Sequence, residues 1–318
     1  MKRLRLTISA SLLLLIAALP ARGDLVPVAT GTIRHDRPDE SYTTLADIYP
    51  SVGAFQSDND TFGSGTLIGS DWVLTAAHVL SGASPGEVNF FIGGSIYTGL
   101  EIHIEPTWAG SLFAGNDLAL LRLSSSVVGV TPARYSALTS EVGQIGTYVG
   151  FGQTGTGLTG ASPPGGTKRA GQNVLDATAD AFNGPETPPH EIFSDRILVS
   201  DFDNPLDPND NLIGSAIPLD LEFNVAGGDS GGGLFVDFGF GDVLVGVTSF
   251  LAQDDGTANA DYGDASGATR TSSHVGFIFN TTGIAPAGVP EPSSALLLTI
   301  LACICGGMRL NRLRRRRV

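Results

Sequence analysis

Apolar residues in the central part of the chain come in short runs, each broken by glycine, proline, asparagine or aspartate. The runs at 65–68, 72–75, 88–92, 118–123, 148–151, 192–199, 232–236 and 243–250 are rich in Val, Ile, Leu, Phe and Thr, the pattern of half-buried or buried strands. No central segment sustains a 3.6-residue apolar period, so the expectation is an all-β domain without long helices. The Gly- and Pro-rich stretch 160–171 reads as a loop, and 284–288 as a linker.

Two longer apolar stretches lie at the ends. Lys2, Arg3 and Arg5 precede an apolar segment over 6–19 and the small-x-small triplet Ala21-Arg22-Gly23, which together read as a signal peptide over 1–23. At the other end Val289-Pro290-Glu291-Pro292 leads into an apolar run over 295–308 and then Arg309, Arg312 and Arg314 to Arg317. With flanking serines and snorkelling arginines this reads as a transmembrane helix over about 293–310, its positive end cytoplasmic. The whole segment 289–318 resembles the PEP-CTERM sorting signal of Gram-negative bacteria. That resemblance implies cleavage by an exosortase-like partner, an initial anchor in the inner membrane, and a final place in the cell envelope or outside the cell.

Of the 318 residues 42 are glycine and only 16% are charged, which favours turns and short strands over solvated helices. Ten of the eighteen basic residues sit in the two end segments, so between Asp24 and Pro290 eight bases face thirty-one acids, a formal charge of −23. A surface of that sign excludes nucleic acid as a partner. The chain's two cysteines, Cys303 and Cys305, both lie in the C-terminal apolar run, so the exported part has no disulfide and depends on its packed core.

Three segments carry chemistry: Thr75-Ala76-Ala77-His78, Asn116-Asp117-Leu118-Ala119-Leu120 and Gly227-Gly228-Asp229-Ser230-Gly231-Gly232. A serine hydroxyl becomes a nucleophile when an imidazole takes its proton and a carboxylate orients the imidazole. Gly228 and Ser230 can supply backbone N–H groups to an oxyanion.

These motifs resemble the trypsin-like, chymotrypsin-fold (S1) serine peptidases. Gly63 to Ile68, Trp72-Val73-Leu74, Gly150 to Thr154, Gly246 to Phe250 and Val275-Gly276-Phe277 fit the same family in the same order. The resemblance implies two six-stranded antiparallel barrels, the first over about 45–145 and the second over about 146–283, within a protease domain over 24–283. It implies His78 as general base, Asp117 as its orienter, Ser230 as nucleophile, and Gly228 and Ser230 as the oxyanion hole. Ser249 would lie near Asp117 and pair with substrate backbone. The substrate would be a protein or peptide.

Departures from the family pattern matter as much. Val79 stands where animal relatives carry a cysteine. Asp229 would receive a newly formed N-terminal ammonium, yet the usual Ile-Val-Gly-Gly start is missing and Ile33-Arg34-His35-Asp36 is the nearest candidate. Asn224 occupies the position where trypsin-like members carry an acid, so no preference for Arg or Lys is expected. Leu251, with Gly276 as the opposite wall, points to small or medium apolar side chains at the cleavage site.

Three other readings compete. Gly150 to Gly155 matches a dinucleotide fingerprint, but Thr, Gly and Pro follow it instead of a helix, so no cofactor is expected. Gly228 to Gly232 also fits the nucleophile elbow of an α/β-hydrolase esterase, with Asp261 or Asp264 and His274 completing the order, although a strand-like run follows Ser230. Finally, Asp201, Asp203, Asn204, Asp207, Asp210 and Asn211 offer oxygen ligands for calcium, but without the spacing or central glycine of an EF-hand they are expected to form a solvated loop and no metal site. A rival from another class is a catalytically silent surface-binding module on the same fold.

Overall fold

The computed structural model describes residues 31–57, 60–185, 192–252 and 259–288, with side chains 57, 60 and 61 left aside. The expected signal peptide, sorting signal and transmembrane helix lie outside these residues. Among the described residues no helix is long and apolar enough to cross a membrane.

The first half of the chain carries β1 (Gly31–Ile33), α1 (Asp39–Ala46), β2 (Val52–Ser57), β3 (Asp60–Leu67), β4 (Trp72–Thr75), α2 (Ala77–Leu80), β5 (Asn89–Ile92), β6 (Ser95–Ile104) and β7 (Ala119–Leu123). Strands β2, β3, β4, β7, β6 and β5 close into an antiparallel barrel in that order. Its filling follows from period-2 alternation: Phe90 and Ile92 of β5, Val73 of β4, and Ala119, Leu121 and Leu123 of β7 point inward with Phe55 and Leu67. The alternate positions Leu74, Leu118 and Leu120 point outward, yet they are equally buried. They join Ile68, Tyr135, Val149, Phe151, Phe235, Leu244 and Val247 in a second core between the two halves of the domain. Burial on both faces is why 118–123 reads as an unbroken apolar run.

The second half contributes β8 (Ile145–Gly150), β9 (Gln153–Thr156), β10 (Gly160–Gly165), β11 (Arg169–Val174), β12 (Ala177–Thr178), β13 (Ile197–Asp201), β14 (Phe223–Asn224), β15 (Gly233–Asp237), β16 (Asp242–Ala252), β17 (Ala265–Arg270) and α3 (Val275–Thr282). It does not form the second closed six-stranded barrel that was expected. Seven strands run in the order β11-β8-β15-β16-β17-β13-β12, a half-barrel whose edges β11 and β12 are not joined by a ladder. The chain instead turns directly from one edge to the other at Leu175 and Asp176, whose N–H groups bond to Gln144 O (2.9 Å) and Val199 O (2.9 Å). Two residues at a corner satisfy both edges locally, but they cannot make a ladder.

A separate four-stranded sheet, β10-β9-β1-β14, includes the parallel pair β1–β9. Part of the predicted loop 160–171 is therefore strand: β10 pairs with β9, and β11 with β8. The predicted linker is also partly anchored. Gly283 ends α3 in the left-handed region (φ +73°), and Tyr135 Oη donates to Ile284 O at 2.8 Å.

The core between the halves sets a stability expectation. Leu120→Ala, at a position with no exposure, should lower unfolding free energy by about 2–5 kcal/mol in urea denaturation, whereas Ile96→Ala at an exposed site should change it by less than about 0.5 kcal/mol.

Candidate active site

His78 sits in α2, a single turn that follows β4 directly, and Asp117 sits just ahead of β7. Strands β4 and β7 are neighbours in the barrel, with Thr75 opposite Ala119, so both residues emerge at one end of the same ladder. The His78 N–H donates to Asp117 Oδ1 at 2.8 Å, and its ring Nδ1 lies 2.6 Å from Asp117 Oδ2. From the other half of the domain, Ser249 Oγ on β16 donates to the same Oδ2 at 2.6 Å. Asp117 has no solvent exposure, while the His78 side chain keeps 17% of its own. With Nδ1–H committed to the carboxylate, Nε2 is the imidazole nitrogen left with a free lone pair.

Ser230 stands in the turn before β15, held by backbone bonds to both halves. Its carbonyl accepts the Ser64 N–H at 2.8 Å, and the Gly231 N–H donates to Thr248 O at 2.8 Å. Gly231 has φ +84°, and a methyl group there would lie 2.0 Å from Thr75 Oγ1 and 2.2 Å from Ser64 O. Only glycine allows this turn to press against the segment that leads into His78. The N–H groups of Asp229 and Gly232 are used within the turn, bonding to Ala226 O and Asp229 O. Those of Gly228 and Ser230 have no acceptor among the described residues, and Gly228 adopts φ +96°.

Ser64 ties these pieces together, a role its place in a glycine-rich strand did not disclose. Its Oγ donates to Gly228 O (3.0 Å) and accepts the Phe151 N–H (3.0 Å), while its carbonyl accepts Thr75 Oγ1 (2.8 Å).

Asp229 is 2% exposed. Burial pushes its carboxyl up to about 7, against the opposing pull of the Ala226 and Gly152 N–H bonds and the Arg169 charge. Both oxygens are occupied by backbone: Oδ1 accepts from Gly152 at 2.8 Å and Oδ2 from Ala226 at 2.9 Å. Ile33, the candidate new terminus, is instead part of β1, opposite Phe223 of β14 and Thr156 of β9.

Beside the serine turn, Asn224 on β14 is fully buried. Ser266 Oγ donates to its Oδ1 and accepts the Val225 N–H at 3.1 Å. Leu251 and Ser266 are directly opposite in the β16–β17 register, so their side chains share a face. Gly276 is not part of this group: it lies on α3, with nothing within 4 Å of where a Cβ would point. On that face the cross-strand neighbour of Leu251 is Ser266. Sequence spacing missed it because the polar and small residues of β17 carry no apolar pattern.

The alternative histidine is elsewhere. His274 Nε2 lies 2.8 Å from Gly115 O, and burial lowers its pKa. Ser230 runs into strand β15 and not into a helix, so the hydrolase-elbow geometry is absent at this serine.

Residues 42–167 match the protein-family model described as Trypsin. Among solved structures, the chain resembles neuropsin, a serine protease expressed in the limbic system of mouse brain. The likeness has a TM-score of 0.54 and 20% identity, and covers 73% of this chain and 94% of that one. At that identity the likeness establishes a trypsin-like, mostly-β fold.

Ser64→Ala leaves the Phe151 N–H and Gly228 O without their partner in a buried setting. It should cost about 1–3 kcal/mol of stability by thermal or urea unfolding, with Ser64→Thr retaining part of it.

Proposed function

We propose that this chain is a serine endopeptidase of the trypsin type, with His78, Asp117 and Ser230 as its triad. One observation carries the reading: the fully buried Asp117 carboxylate takes hydrogen bonds from the N–H and ring Nδ1 of His78, and from Ser249 across the domain. A structural aspartate has no need of an imidazole whose side chain stays partly open to solvent.

In this reading Ser230 Oγ attacks the peptide carbonyl carbon as His78 Nε2 takes the hydroxyl proton. Asp117 holds the ring in the productive tautomer and stabilises the imidazolium that forms. The carbonyl π-pair moves onto oxygen, which is received by the Gly228 and Ser230 N–H groups. Collapse of the tetrahedral species breaks the C–N bond, and His78 returns its proton to the leaving amine. Water repeats the sequence on the acyl-enzyme and restores Ser230.

Asn224, Leu251 and Ser266 would line the side-chain pocket, with Ser249 alongside presenting its backbone to the substrate. The uncharged amide of Asn224 and the bulk of Leu251 favour small or medium apolar residues. The N-terminal basic-apolar-small pattern and the Pro-Glu-Pro, apolar, arginine pattern support export and processing by an exosortase-like enzyme. The alternative of a silent binding module is weakened because every group that the reaction requires is present.

A fluorophosphonate probe should label Ser230 stoichiometrically, with labelling abolished in Ser230→Ala and slowed at least about 10³-fold in His78→Ala. Folded protein that takes up no label would favour the binding module. In a peptide library, cleavage should follow Ala, Val or Leu, and Leu251→Gly should extend it to Phe and Tyr. Cleavage mainly after Arg or Lys would refute the pocket.

A further inference from the structure

The glycine-rich segment at the end of β8, Gly150-Phe151-Gly152-Gln153, has no assigned part in the proposed reaction, yet three consecutive N–H groups of it reach the serine turn or its support. Phe151 N–H donates to Ser64 Oγ (3.0 Å), Gly152 N–H to Asp229 Oδ1 (2.8 Å) and Gln153 N–H to Gly227 O (2.7 Å). The approach is close: a methyl group on Gly152 would lie 2.6 Å from the Asp229 nitrogen, and one on Gly228 would lie 2.9 Å from Gly152 Cα. Glycine at 152 is what this contact requires.

Peptide planarity turns the contact into an aiming device. The C=O and N–H of a trans unit point in opposite directions, so holding the carbonyl aims the N–H. In the 227–228 unit, Gly227 O is held by the Gln153 N–H, and the Gly228 N–H points the other way. In the 229–230 unit, Asp229 O is held by the Gly232 N–H at 2.8 Å, and the Ser230 N–H points away from it. The 228–229 unit lies between these and is held at both ends: Gly228 O accepts from Ser64 Oγ (3.0 Å), and the Asp229 N–H donates to Ala226 O (3.0 Å). Only its carbonyl end depends on a side chain. Ser64 has no exposure, and Gly228, at φ +96°, offers little steric resistance to rotation of the unit once that bond is gone.

We propose that Ser64 is a positioning residue of the peptidase reaction, its hydroxyl locking the central peptide unit so that the Gly228 and Ser230 N–H groups stand ready for an oxyanion before substrate arrives. The role rests on the triad reading given under Proposed function. Donors fixed in advance need no reorganisation when charge develops on the carbonyl oxygen, so their benefit falls on the transition state and not on substrate binding. Ser64 acts through Gly228: in Ser64→Ala both N–H donors remain, but the unit between them loses its carbonyl partner.

The test compares the full chain with its Ser64→Ala and Ser64→Thr variants. On a peptide cleaved after Val, Ser64→Ala should lower kcat about 10–10²-fold, less than the loss of about 10²–10³ on deleting an oxyanion donor outright, with KM within about twofold. A peptide boronate ending in Val, whose tetrahedral adduct with Ser230 presents an oxygen to the two N–H groups, should bind more weakly by the same factor. Ser64→Thr keeps the hydroxyl and should recover part of kcat. Leu198→Ala, at a fully buried position on β13, should lose at least as much stability and keep kcat within about twofold. A higher KM at unchanged kcat would assign Ser64 to ground-state binding and overturn the proposal, as would equal kcat in Ser64→Ala and the parent. A parent chain that takes up no fluorophosphonate removes the reaction itself, so the two failures are told apart. Where Ser64→Ala does not fold, residue-resolved amide hydrogen exchange on the parent decides. The Phe151, Gly152 and Gln153 N–H groups should exchange slowly throughout, and those of Gly228 and Ser230 quickly until the boronate binds. Slow exchange at 228 and 230 in the free chain, or fast exchange at 151, would sink the role of Ser64.

Discussion

A carboxylate with no exposure to water has to be surrounded by donors, and Asp117 finds them on both sides of the domain. The N–H and ring of His78 come from the closed barrel, and the Ser249 hydroxyl from the half-barrel. Removing either side would leave a buried charge partly unpaired, at a cost larger than most single packing defects. Docking of the two halves and organisation of the site are therefore one event. The apolar layer of Leu74, Leu118, Leu120, Val149, Phe235 and Val247 supplies the drive for that docking, and the carboxylate fixes its alignment.

Ser64 repeats this logic in neutral form. One residue of β3 binds the serine turn through its N–H and Oγ, the start of the second half through Phe151, and the histidine segment through Thr75. Glycines at 228 and 231 let the backbone approach that closely. Asp229 completes the arrangement with two backbone N–H groups on its oxygens, from Gly152 and Ala226.

The two halves solve the problem of sheet edges differently. The first closes fully and needs nothing further at its seam. The second leaves its edges to a two-residue corner.

The strands with apolar runs were legible because burial on one or two faces leaves a mark on the sequence: β4, β5, β7, β15 and β16 lie where the runs do. Strands β1, β6, β9, β10, β14 and β17 were not: β1 and β14 are too short to show a period, β9, β10 and β17 are built largely of Gly, Ala, Ser, Thr and Pro, and the largely solvent-facing β6 mixes polar and apolar residues. By itself the sequence determined the order of His78, Asp117 and Ser230, the glycines beside the serine, and the acidity of the domain, all properties of residue type and local spacing. Only the tertiary structure decided that Ser64 joins the halves, that Ser266 and not Gly276 lies beside Leu251 on the sheet, and that the second sheet stays open. Each of those depends on which atoms from separate segments meet, and partners separated by a dozen to well over a hundred residues leave no periodic trace in a single chain.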